Sequence, residues 1–219
     1  MATPTEDAHR PPHDVARSAA VLATLGAALA LGLYGLWQLT HERIERNRQA
    51  WIEQPLTALL APMKYDNDVL ADVITVVSPD VLGADAPASI YRARLAGEPV
   101  AAVIRTIAPD GYRGPIELLI AVDYEGVLLG VDVLRHNETP GLGDVFENRE
   151  AGWLEAFRGL SLSNPPAGRW TVRKEGGAFD AFTGATITPR AIVKAVRRAL
   201  EYYRAYRDRI FEADAAGEP

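Results

Sequence analysis

Hydrophobic and polar positions fall into three regimes along the chain. From Ser18 to Thr40 no residue is charged, a run long enough for a helix that needs about 20 apolar residues to cross a hydrocarbon core. Tyr34 and Trp37 lie near its end, where aromatic belts occur. A cleavable leader has a shorter apolar stretch of about 7–15 residues followed by a small-residue cleavage site. Here the run passes directly into Thr40-His-Glu-Arg-Ile-Glu-Arg46, so an uncleaved anchor is predicted. The second regime, from about Glu42 to Leu60, places Ile44, Trp51, Ile52 and Leu56 on one helical face. Pro62 limits that helix, which reads as a stalk.

The third regime switches to short β-rich runs: Val73–Val77, Ser89–Leu95, Pro99–Ile107, Ile116–Val122 and Val127–Leu134. Turn signals at Ala96-Gly97, Pro109-Asp110-Gly111 and Tyr124-Glu125-Gly126 separate them. A short helix around Ala151–Phe157 and a strand near Trp170–Arg173 are expected next. A long helix closes the chain, with Thr188-Pro189 as its start and Ile192, Val196, Leu200 and Tyr203 on one face. Strands in the middle with helices at the ends predict α+β, a mostly antiparallel sheet packed by helices. The expected organisation is a disordered tail over 1–17, a membrane span over 18–40, a stalk over 41–64, a domain over 65–211 and a disordered end over 212–219.

Composition narrows the chemistry. Net charge is −6, which argues against nucleic acid as a partner, since phosphate backbones call for basic surfaces. The absence of cysteine excludes Cys-ligated iron–sulfur clusters, c-type haem attachment and disulfides within this chain. The four histidines, His9, His13, His41 and His136, form no ligand-like cluster, so no metal site is expected. No acid, base or nucleophile constellation stands out either, and no catalytic residue is assigned.

Two loops carry the remaining signal. In Asp180-Ala-Phe-Thr-Gly-Ala-Thr186, a small close-approach turn ends on a hydroxyl just before a helix N-terminus, where a phosphate is held well. In His136-Asn-Glu-Thr-Pro-Gly-Leu-Gly-Asp144, proline and two glycines force a tight course beside polar Glu138 and Thr139. Gly141 and Gly143 begin a dinucleotide fingerprint that lacks its third glycine, which argues against a Rossmann site. Taken singly, each loop is also what an ordinary capped turn or hairpin edge looks like. The chain would then be a membrane-anchored structural or sensory module without a cofactor.

Together, Glu138-Thr-Pro-Gly-Leu-Gly143, Asp180-x-x-Thr-Gly-Ala-Thr186 and Gly111-Tyr-Arg-Gly-Pro-Ile116 resemble the covalent FMN-binding domain of respiratory membrane complexes. The run Phe182–Val196 is similar to the family of G subunits of the Rnf complex, an ion-translocating ferredoxin:NAD⁺ oxidoreductase. The C subunit of the sodium-translocating NADH:quinone reductase shares the motifs and is the alternative. The resemblance spans residues 18–207. It implies an electron-carrying flavoprotein within a redox-driven ion pump, with FMN joined to Thr186 by a phosphoester.

The same resemblance sets Thr183, Gly184 and Ala185, and Glu138, Thr139, Gly141, Leu142 and Gly143, against the flavin. Asp180 belongs to the string that a flavin transferase reads during maturation. Lys174 is a candidate to neutralise the phosphodiester, and Tyr112, Leu142 and Trp170 are candidates to cover the ring, because a flavin needs apolar walls. The implied partners are the other subunits of the Rnf complex. The implied location is the inner membrane, N-terminus inside and domain in the periplasm. Flanking charge leans the other way by one residue, with Arg10 and Arg17 on one side and Arg43, Arg46 and Arg48 on the other; the resemblance is followed.

Overall fold

In the computed structural model the described residues are 12–78, 82, 85, 87–148 and 152–212, with side chains described outside 12–15 and 42–50. Helix α1 runs Pro12–Leu60, so the segment from Pro12 to Arg17 is helical and not the disordered tail expected. The rest of that tail, the side chain of Ile44, the residues 213–219 and Ala151 lie outside what is described. Contacts divide the chain between Trp51 and Ile52 into two compact units. Pro55 lies inside α1, and its missing N–H removes the hydrogen bond to the carbonyl of Trp51, the residue at that division.

In the first unit, Ala16–His41 is long and apolar enough to cross a membrane. Leu22, Leu31 and Leu39 are about 70% exposed or more. Such a surface needs lipid or partner helices around it, which makes this helix the membrane anchor.

The second unit starts at Ile52 rather than at the expected residue 65, because the last turns of α1 belong to its core. Strands β1 (Val73–Val76), β2 (Ala88–Leu95), β3 (Glu98–Ala108), β4 (Ile116–Asp123) and β5 (Leu128–Arg135) follow. They form one antiparallel meander in sequence order. Each expected strand is present to within about a residue, since the turn signals between them are local. The β2–β3 hairpin closes on Ala96 and Gly97, both with positive φ, the twist-matched geometry for a two-residue loop.

Alternation sends successive side chains to opposite faces, and here both faces are buried. One row, Ile74, Ile90, Ile104, Ile120 and Val131, crosses all five strands in register and packs with helix α2 (Ile187–Glu212). The predicted face of α2, Ile192, Val196, Leu200 and Tyr203, lies in that core. Each such aliphatic side chain contributes about 1.5–3 kcal/mol of burial. The opposite row, Tyr91, Val103 and Ala121, meets Ile52, Leu56, Leu59 and Leu60 of α1. It ends at Gly130, where an added Cβ would stand 2.8 Å from Leu59 Cδ2. A side chain there would push α1 off the sheet.

Between β5 and α2 the chain is irregular. The helix expected near Ala151–Phe157 is a 3-10 turn at Leu154–Phe157. The strand expected near Trp170–Arg173 is absent; Val172, between two 3-10 turns, forms a single bridge with Phe179. Arg173 N–H donates to the Phe179 carbonyl (2.7 Å), so this loop closes on itself and adds nothing to the sheet. Aromatic contacts hold it: Phe157 stacks on Phe179 at 4.8 Å, and Phe182 meets Trp153 at 5.0 Å.

Candidate functional site

Three loops converge at the N-terminus of α2. The turn Phe182–Ala185 is closed by Ala185 N–H donating to the Phe182 carbonyl, and buried Phe182 anchors it in the aromatic core. Helix α2 then begins at Ile187, two residues before the expected start. Thr186 therefore sits immediately before the helix, its carbonyl accepting from Arg190 N–H. Thr188 does not cap the helix; its hydroxyl donates to Glu138, fifty residues upstream.

Glu138 is 4% exposed. Its Oε2 accepts from Thr188 and its Oε1 from Arg113 N–H (3.0 Å), so one side chain joins the 136–144 loop, the 111–115 turn and α2. Gly143 passes directly over it, where an added Cβ would lie 2.9 Å from Glu138 Oε2 and 3.3 Å from Thr188 Oγ1. Lys194 on α2 pairs with Asp110 and ties the helix to the turn bearing Tyr112. Hydrogen bonding to that ammonium holds the Asp110 carboxyl below its ordinary value.

These ties enclose a cleft of about 180 Å³ lined by Tyr112, Glu138, Thr139, Leu142, Gly143, Gly184, Ala185, Thr186, Ile187 and Thr188. Among the described residues from Ile52 on, five large apolar side chains are exposed: Val77, Leu95, Tyr112, Leu142 and Ile187. Three of the five border this cleft, a concentration that marks a ligand site. Two roomier open grooves lie elsewhere, of about 420 Å³ beside β5 and about 440 Å³ beside Tyr124. Neither includes a residue of the two loop motifs.

The cleft gathers most of the residues singled out from sequence, with exceptions. Lys174 stands outside its lining but donates to Thr186 Oγ1 at 3.3 Å. Thr183 is exposed at the turn, and Gly141 donates its N–H to Asp144 Oδ1 (2.7 Å); neither lines the cleft. Asp180 is exposed and pairs with Arg173 at 3.1 Å. Trp170 is the correction: it is 3% exposed, packs on Phe179 and donates Nε1–H to the Pro165 carbonyl. Its ring is core and cannot wall the cleft. Ile187 and Thr188 were not singled out as site residues; what brings Thr188 to the cleft is its hydrogen bond to Glu138 across fifty residues, which local sequence does not report.

The fold and cleft define a flavin-binding domain: residues 111–201 match the family described as "FMN-binding domain". Similar proteins agree along nearly the whole chain. The G subunit of the ion-translocating oxidoreductase complex of Pseudomonas aeruginosa (strain UCBPP-PA14) is 44% identical over 198 residues, covering 90% of this chain and 92% of that protein. The proteins of that name from Shewanella loihica and Vibrio cholerae (Classical Ogawa 395) are 45% and 42% identical, covering 85% and 89% of this chain and 88% and 93% of their own. The chain belongs to the family of G subunits of ion-translocating oxidoreductase complexes.

The residues present fit FMN. Tyr112, Leu142 and Ile187 supply apolar wall, while a hydroxyl, a lysine ammonium and a helix N-terminus meet at Thr186. Full small-molecule pockets measure about 300–1,000 Å³, so at about 180 Å³ this cleft is smaller than one that encloses a whole ligand.

Proposed function

We propose that this chain is the electron-carrying flavoprotein of a membrane-bound, redox-driven ion pump of the Rnf type, with FMN esterified to Thr186. The observation that carries this reading is that Thr186, to which Lys174 donates, and three exposed apolar side chains line one cleft. Bound there, FMN supplies the electron-transfer chemistry, and the protein supplies position and electrostatics. Lys174 and the positive end of α2 offset the charge of a phosphodiester on Thr186. Tyr112, Leu142 and Ile187 exclude water from part of the ring. Asp180 and Thr183, exposed beside the cleft, are the features of the string open to a flavin transferase. An ester bond also keeps the cofactor from being lost on the outer side of the membrane.

Denaturing electrophoresis tests this. Protein from cells that contain the flavin transferase is expected to give a fluorescent band at the chain's own mass. Its tryptic peptide containing Thr186 is expected to be heavier by one flavin mononucleotide less water. A dark band and an unmodified peptide would leave only a membrane-anchored module without a covalent cofactor.

The topology we adopt puts the N-terminus in the cytoplasm, the anchor in the inner membrane and the domain in the periplasm. The chain has no thiol, so Ala205→Cys on the exposed side of α2 gives a single label. Cells with a permeabilised outer membrane are expected to label with a maleimide that cannot cross the inner membrane. Labelling only after inner-membrane rupture would place the domain in the cytoplasm.

A further inference from the structure

Glu138 borders the cleft, yet no step above uses its charge. Burying a carboxylate is costly unless its oxygens are hydrogen-bonded or paired with a cation. Here Oε1 accepts from Arg113 N–H and Oε2 from the Thr188 hydroxyl. Among the described residues no Lys, Arg or His side chain forms an ion pair with it. Lys174 donates to Thr186, and Lys194 pairs with Asp110. The negative charge is thus held in place by two dipolar donors and shared with the same cleft as Thr186.

We propose that Glu138 is a positioning residue that latches the first turn of α2 to both cleft loops, and that its charge makes a flavin held on Thr186 harder to reduce. This rests on the assignment of FMN to Thr186. Thr188 is two residues from the point of attachment, so the latch fixes where that hydroxyl stands relative to Leu142 and Tyr112. Electrons added to a ring beside a fixed anion meet coulombic repulsion, and that repulsion is strong where water is excluded.

Two substitutions in the full-length protein separate charge from latch. In Glu138→Gln the amide oxygen keeps accepting from Arg113 N–H, and the amide NH₂ can donate to the Thr188 hydroxyl, which also accepts. Charge is lost and the latch stays. Spectroelectrochemical titration is expected to show the reduction equilibrium moved toward the reduced form by about tenfold or more. Glu138→Met, neutral and of similar length, is expected to move it the same way and serves if the glutamine variant does not fold. Covalent loading at wild-type level with an unmoved equilibrium in the folded variant overturns the role of the charge.

Thr188→Val keeps the charge and removes the arm to α2. In flavin-free protein, made without the transferase, the Arg190 amide is expected to exchange with solvent on the order of fivefold faster, the loss of one hydrogen bond. Unchanged exchange overturns the latch. This measurement needs no flavin, so it stands even if wild-type protein proves to carry no FMN; that result sinks the assignment of the cofactor and the role of the charge together.

Discussion

Thr186→Val is expected to abolish denaturation-resistant flavin completely while leaving the domain folded. The substitution keeps the shape of the side chain and removes only the hydroxyl, so it asks whether that oxygen forms the bond. Thr186 is half-buried, and its described side-chain contact is the lysine of an exposed pair. Loss of a polar residue just ahead of a helix costs about 0.5–2 kcal/mol, too little to unfold a domain with two buried sheet faces. In-gel fluorescence reads the flavin, and near-ultraviolet circular dichroism reads the packing. Retained covalent flavin in the folded variant would move the attachment to another residue, with exposed Thr183 the first to test.

Asp72→Ala is expected to produce a large loss of stability, about 3 kcal/mol, far from the cleft. Asp72 accepts from Arg92 Nε (2.6 Å) and Arg94 Nε (2.9 Å). The two arginines in turn donate to the carbonyls of Ile210 and Phe211, the closing residues of α2. Arg92 is 2% exposed. Removing one partner of a buried ion pair costs about 3–5 kcal/mol. The lower end applies because the Asp72 side chain is 19% exposed. Urea unfolding of flavin-free protein in detergent measures it. Replacing both partners, with Arg92→Met and Asp72→Leu, is expected to recover more than half of the loss, since an apolar pair has no charge to desolvate. A single substitution costing under about 1 kcal/mol would mean that this network contributes no more than a surface ion pair.

The two cases differ in where their information lies. The flavin-domain motif ending at Thr186 was legible because it is written in seven consecutive residues, and the anchor because twenty-three consecutive uncharged positions from Ser18 to Thr40 suffice to name it. The five strands and the buried face of α2 were legible for the same reason. Alternation, helical spacing and turn residues are properties of neighbours along the chain. These determined an anchored α+β domain with a flavin motif.

Contacts between distant segments decided the rest. Trp170 resembled a flavin wall because it is aromatic and near the motif; the Phe157–Phe179 cluster claims it instead. Thr188 resembled a helix cap until Glu138 was seen to hold its hydroxyl across fifty residues. The clamp of Arg92 and Arg94 on the far end of α2 spans more than a hundred residues and leaves no local trace. Local pattern reports which face of an element is apolar. Only the folded chain decides which polar group meets which, because burial removes water as the alternative partner and a hydrogen bond then selects one neighbour from many.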